Sequence, residues 1–296
     1  VHQARGRRPR NLFPWLVLTP VLLYYFVFLL YPILFAIWVS LHLWIIENPA
    51  ASQFVLFQNY SEMLLPTSRF MGAFRNTMIY VAIRTLTLAP LGLLVALLLD
   101  RFRRTQRFFL FCVFAPIVCP GAAIAVLWSW LYHPRFGPIN AQLAAWGLGR
   151  QGFVTSPEQA LYAVVAVDIW QSVGFVAVAF LGGLINIPEQ LLEAARIDGA
   201  NRWQLFWRIT LPLLSHTSLF VIVITLIGSF QVFDLILVMT RGGPGYATYV
   251  LSLLIYNEGI ARSDMGEAAA ISLVMFVIIL IFTVFQFRLL RPRWEY

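Results

Sequence analysis

The sequence contains no lysine; all 21 basic residues are arginine. That excludes a Walker A phosphate loop, whose lysine reaches the nucleotide phosphates. It also excludes Schiff-base lysine catalysis. Any ATP this protein uses must be bound by another chain. Charge of either sign is scarce: 11% of the 296 residues are charged, against about 25% in an ordinary soluble domain. His2, His42, His133 and His216 have no metal-ligand spacing. Cys112 and Cys119 lie seven apart in one apolar run. That is roughly 10 Å along a helix axis, too far for a disulfide, and they read as small buried hydrophobes. HExxH, GxSxG and CxxC motifs are absent, as is any paired-carboxylate constellation, so a membrane-embedded enzyme would lack a catalytic centre. The segment 147–152 matches G-x-G-x-x-G in form. No strand precedes it and no βαβ unit surrounds it, so chance is the better reading.

What the chain has in abundance is apolar surface. Hydrophobic residues make up 60% and aromatic residues 16%, more than one soluble core can hide. A helix needs about 20 mainly apolar residues to cross the hydrocarbon, and six runs qualify: 13–40, 74–99, 108–131, 161–184, 213–238 and 266–287. The first follows Arg5, Arg7, Arg8 and Arg10, like the start of a signal peptide. Its apolar part exceeds the usual core of about 7–15 residues, and no small-x-small site follows; it reads as an uncleaved span. The expected fold is an all-α membrane protein of six transmembrane helices in one domain, 1–296.

Arginine placement sets the topology. Fourteen arginines fall in the N-terminal tail, the loops 100–107 and 185–212, and the C-terminal tail, and only five fall in the other three loops. The tails contribute Arg288, Arg291 and Arg293 besides the first four; the loop 100–107 contributes Arg101, Arg103, Arg104 and Arg107. The positive-inside bias puts both termini in the cytoplasm. The net charge of +8 is therefore a topology signal and not a nucleic-acid footprint. Trp15, and Trp128 with Trp130 and Tyr132, sit at span ends where interfacial belts favour such residues.

The loop 185–212 is the longest cytoplasmic connection. Pro188 suits a first helical turn, Glu189 faces the positive end of the helix dipole, and Gly199 can take the left-handed stop conformation. Asn201 with Gln204 makes a capping-box-like restart. Two short helices across the cytoplasmic face follow, with Leu191, Leu192 and Ala195 as an apolar edge. A membrane-lying helix usually has a basic polar face. This one carries Glu189, Glu193 and Asp198, so a protein partner fits better.

At these residues the chain resembles the inner-membrane permease family of binding-protein-dependent ABC importers. The family's cytoplasmic signature is matched by Glu193-Ala194-Ala195-Arg196-Ile197-Asp198-Gly199-Ala200, then Phe206 and Ile209-Thr210-Leu211-Pro212. The Asp-Gly-Ala form is similar to the carbohydrate branch of maltose-type and glycerol-phosphate-type permeases. Supporting segments are Gly137-Pro138-Ile139-Asn140, Gln231-Val232-Phe233-Asp234, Thr240-Arg241-Gly242-Gly243-Pro244 and Met265-Gly266-Glu267-Ala268-Ala269-Ala270. Ser215-His216 departs from the family, which often has a second proline there. The large extracytoplasmic insertion of some maltose-type members is absent. The resemblance implies a type I importer fold in a bacterial or archaeal inner membrane. The signature loop would be a coupling helix docked on an ATPase: Glu193 would pair with a polar or cationic group, Ala194, Ala195, Gly199 and Ala200 would allow close packing, and Asp198 would either contact the ATPase or brace the turn. Implied partners are a second homologous permease, an ABC ATPase dimer that binds the ATP and magnesium, a solute-binding protein and a sugar-like solute.

Polar groups inside a membrane usually face the bundle or a cavity. Asp168, Gln171, Ser172 and Phe175 are spaced i, i+3, i+4, i+7 and share one helix face; Thr225 and Ser229 share a face on the next span. Carboxylate, amide, hydroxyl and aromatic groups are what a sugar site needs, and the maltose-type relatives contact sugar from the spans on either side of the signature. The competing reading is that these residues glue helices by hydrogen bonding. Asp234 looks architectural. Arg84 either pairs with an acid such as Asp168 or faces a wet vestibule, where an anionic solute would make it a ligand. An ion-coupled secondary transporter is the rival function; it predicts internal repeats with broken helices, which the sequence does not display.

Overall fold

The computed structural model describes residues 13–44, 52–102 and 104–290. Arg5, Arg7, Arg8, Arg10, Arg103, Arg291 and Arg293, and the Trp15 side chain, lie outside the described residues. The helices are α1 (Phe13–Tyr25) and α2 (Tyr31–Ser40), joined by a π-helical stretch Phe26–Leu30, then α3 (Gln58–Met63), α4 (Phe70–Arg101), α5 (Gln106–Val118), α6 (Gly121–Leu131), α7 (Pro138–Ala145) and α8 (Ala160–Ile185). They continue as α9 (Glu189–Ile197), α10 (Arg202–Leu205), a π turn Phe206–Thr210, α11 (Leu211–Leu213), α12 (Ser215–Phe230), α13 (Asp234–Met239), α14 (Leu251–Tyr256) and α15 (Met265–Leu289). One two-residue antiparallel pair, β1 (His42–Leu43) with β2 (Gln53–Phe54), pins the connection after α2. Five segments are long and apolar enough to cross a membrane, and the count is six if α5 and α6, bent at their junction, are one span.

Two spans differ from straight rods. The third bends by 99° between α5 and α6. Cys119 and Pro120 are extended there, because proline cannot continue the hydrogen-bond ladder. The fifth breaks at Gln231–Phe233, between α12 and α13. Periodicity and hydropathy pass over such breaks, since the apolar composition continues through them. Irregular backbone at membrane depth survives only where protein buries it or a cavity receives it.

The bundle is built around α4, α8 and α12. Close approach rests on glycine: a Cβ on Gly92 of α4 would stand 2.2 Å from Val176 of α8, and one on Gly174 of α8 would stand 2.2 Å from the Val113 carbonyl of α5. Small residues at helix interfaces serve this purpose in membranes, where van der Waals packing replaces the hydrophobic drive. Three apolar clusters fill the core. The largest gathers Phe70, Tyr80, Val164, Val167, Ile236, Tyr249 and Leu253; a second, nearer α9, gathers Leu88, Ala96, Val176, Phe180, Leu214 and Val221; the third joins Val81 to Leu226 and Phe230.

Three expectations change. Cys112 and Cys119 are free, but both are exposed on the chain's surface, and no residue of α5 is buried. Apolar sequence cannot distinguish burial in protein from exposure to lipid or a subunit. Of the aromatic group at the end of α6, only Trp130 is well exposed; Tyr132 is buried and stacks on Phe153 at 4.6 Å. Pro188 precedes the first residue of α9, at its N-cap.

Candidate functional site

Midway along the bundle, between the two larger apolar clusters, sits a polar layer. Arg84 of α4 and Asp168 of α8 are 9% and 7% exposed, and Arg84 Nε approaches Asp168 Oδ2 at 2.6 Å. The Nε–H is not aligned for a hydrogen bond to that oxygen, so this contact is ionic. Tyr80, fully buried, donates to Asp168 Oδ2 at 2.6 Å, and Ser172 donates to Oδ1 at 2.9 Å. The guanidinium spends its other donors on α8 and α12: Nη2 donates to Ser172 Oγ at 3.0 Å, while Nη1 donates to the Thr225 carbonyl at 2.9 Å and to Ser229 Oγ at 3.0 Å. Ser229 in turn donates to the Thr225 carbonyl at 2.6 Å. A buried charge is tolerated only when paired and hydrogen-bonded, and this pair has both.

The sequence-predicted path residues therefore divide. Asp168, Ser172, Thr225 and Ser229 converge on Arg84 in one network. Gln171 points elsewhere and donates to the Cys119 carbonyl at 3.2 Å, at the α5–α6 break. Phe175 is 38% exposed and lies outside the network. Arg84, Asp168 and Gln171 still line a cavity of 240 Å³, with Gly121, Gly228, Gln231, Val232, Phe233, Asp234 and Leu235 completing its wall. Both helix breaks open onto this cavity. Gln231 and Phe233 escape a face-by-face reading because they lie in the break. Asp234 opens α13 and is exposed. Its Cβ and a carboxylate oxygen are both 3.5 Å from where a Gly121 Cβ would stand.

The second candidate site is the loop after α8. Gly199 has φ of +84°. Ala200 N–H donates to the Ala195 carbonyl and Gly199 N–H to the Arg196 carbonyl, at 3.0 and 3.1 Å, the paired bonds of a Schellman stop. Asn201 and Gln204 then cap α10 reciprocally, with both bonds 2.9 Å long, as a capping box does. Glu193, Ala194, Asp198 and Gly199 are exposed and Ala200 is partly covered, whereas Ala195 is buried against its own chain. A polar cleft of 540 Å³ adjoins α9, lined by Asp100, Gln106, Asn186, Glu189 and Leu192. At the far end of the bundle, Arg262 donates to both carboxylate oxygens of the buried Glu258, at 2.8 and 3.1 Å. The hydrogen bonds and charge of Glu258 push the Arg262 guanidinium pKa further up. Among the described residues no group of histidine, cysteine or carboxylate side chains has the arrangement of a metal site.

Comparison with known proteins agrees with this architecture. Residues 89–296 match the family described as the inner membrane component of binding-protein-dependent transport systems. The sn-glycerol-3-phosphate transport system permease protein UgpA of Agrobacterium fabrum is 31% identical over 97% of this chain and 98% of its own length. The trehalose/maltose transport system permease protein MalF of Thermococcus litoralis is 33% identical over 94% of each chain. A chain in the crystal structure of a bacterial alginate ABC transporter, in complex with a pentasaccharide-bound periplasmic protein, superposes with a TM-score of 0.83 at 25% identity and 95% coverage of both. Helix breaks also occur in ion-coupled transporters, so they do not separate the two functions; the match along nearly the whole chain does, in favour of the permease. The chain belongs to the inner-membrane permease components of binding-protein-dependent transport systems.

Proposed function

We propose that this permease carries a sugar or sugar-like solute as one half of an ATP-driven importer, and that the cavity beside Arg84 and Asp168 is part of its path. The observation that carries this reading is the convergence of two helix breaks and a charged pair on one small cavity of mixed polar and apolar lining. Carboxylate, guanidinium and amide groups there suit a polyhydroxylated ligand. The relatives named for glycerol phosphate, trehalose or maltose, and alginate support the solute class. Asp168 and Gln171 contact solute in this reading, while Ser172, Thr225 and Ser229 hold Arg84 in position. Phe175 supplies an apolar ring face further along α8.

Energy enters at α9. Its exposed Glu193, Ala194, Asp198 and Gly199 dock on an ATPase subunit, and Ala195 holds the helix to its own chain. ATP and magnesium reside in that ATPase dimer, not in this chain. A second homologous permease completes the path. It covers the first span, exposed along most of its length, and the 590 Å³ apolar groove between α2, α14 and α15. A solute-binding protein delivers solute at the face opposite α9, and both termini are cytoplasmic. ATPase closure moves the spans between two states by differential contact with each.

The experiment is uptake into proteoliposomes containing both permeases and the ATPase. ATP-dependent, binding-protein-dependent sugar uptake is expected. Uptake driven by an ion gradient with no ATPase present overturns the reading. A ligand screen on the companion binding protein names the sugar.

A further inference from the structure

Beyond Gly199 the loop changes chemistry. Trp203 and Trp207 are 71% and 49% exposed. They stand one helical turn apart, with ring centroids 5.5 Å from each other. Phe206 adds an edge contact to Trp207 at 5.2 Å. Arg202 and Arg208 flank the indoles, and both are exposed. Each aromatic side chain offers roughly 150–250 Å² of surface to bury, so a paired indole face is a contact surface in search of a cover.

Depth and charge say what covers it. The apolar run of the fifth span begins at Leu211 and continues through the break to Met239, which sets its cytoplasmic edge at Leu211. Trp207 stands four residues before Leu211, about 6 Å further out. The headgroup layer on each side is about 5–8 Å deep, and indoles gather at that depth. Arginines beside such indoles attract anionic headgroups. The exposed acids Glu189 and Glu193 of α9 and Asp198 at its C-cap outnumber the exposed Arg196, so the same surface repels this half. One loop thus carries a net-acidic half and a basic aromatic half, separated by the Gly199 stop.

We propose that residues 202–208 form an interfacial anchor that binds anionic phospholipid headgroups and fixes the height of α9 above the membrane. The anchor holds α9 away from the bilayer and leaves its acidic face free. It does not depend on which protein docks there.

The test uses the full chain with Trp203→Cys in a Cys112→Ser/Cys119→Ser background, labelled with a fluorophore. The protein is placed in phosphatidylcholine–phosphatidylglycerol nanodiscs with bromine on one lipid or the other at equal mole fraction. Brominated phosphatidylglycerol is expected to quench at least twofold more than brominated phosphatidylcholine. Arg202→Gln/Arg208→Gln should make the two equal. Should that variant fold poorly, raising salt to about 0.5 M on the parent should remove the preference by screening. Quenching by neither lipid, or equal quenching by both in the parent, overturns the anchor. Loss of lipid quenching when the companion permease and ATPase are added overturns it too, and assigns the surface to a protein partner.

Discussion

Arg84 Nε stands 2.6 Å from Asp168 Oδ2, and this ion pair joins α4 to α8 in the layer that separates two apolar clusters. The other ion pair among the described residues, Arg262–Glu258, lies in the π turn after α14. The Arg84–Asp168 pair therefore carries the burden of keeping charge inside the bundle. Removing one partner strands the other.

Asp168→Ala should destabilise the permease by about 3–5 kcal/mol, the usual cost of an uncompensated buried charge. Arg84→Met/Asp168→Leu should recover most of that loss. Thermal unfolding of the detergent-purified chain measures both. A melting temperature unchanged in Asp168→Ala would show that the pair contributes nothing to the fold.

Gln171→Ala removes a side chain that lines the cavity but stands apart from the Arg84 network. Its melting temperature should stay close to that of the parent, while the solute concentration for half-maximal uptake rises several-fold. If both Gln171→Ala and Asp168→Ala transport normally, the face is helix glue and not a solute path.

Glu193 is exposed, so Glu193→Ala should insert and fold normally. It should nevertheless lose most ATP-coupled uptake, and solute-stimulated ATP hydrolysis should fall with it. Full uptake in this variant would remove Glu193 from the coupling surface.

The turn between α9 and α10 depends on backbone conformation. Gly199→Ala forces a Cβ into φ +84°, at about 1–2 kcal/mol. Asn201→Ala removes the cap, at about 1 kcal/mol. Faster amide exchange confined to 195–205 should report both changes, with global melting little altered. Uniform loss of protection across the chain would argue against a local turn.

Adjacent glycines on α8 give a sharp control. A Cβ on Gly183 would stand 2.5 Å from Thr217 Oγ1 and 2.8 Å from Leu214, whereas one on Gly182 meets nothing within 4 Å. Gly183→Ala should lower the melting temperature. Gly182→Ala should leave it unchanged or raise it, since alanine favours the helix by up to about 1 kcal/mol. Equal effects at both positions would contradict the close α8–α12 packing.

Sequence alone settled the solvent, the apolar segments and the location of the stop and restart around Gly199 and Asn201. Each of these is local: hydropathy over about 20 residues, a left-handed glycine, and a cap three residues from its partner. The signature at Glu193–Ala200 is equally local, and it lies within the residues that match the family. Tertiary structure decided what the intramembrane polar groups touch. Helical spacing put Asp168, Gln171, Ser172 and Phe175 on one face, but only the packing of α4 and α12 sent Asp168 and Ser172 to Arg84, Gln171 to Cys119 and left Phe175 outside. The breaks at Pro120 and Gln231–Phe233 were hidden for the same reason. Their composition is apolar, and irregular backbone in lipid is stabilised by contacts from distant segments that no local window contains.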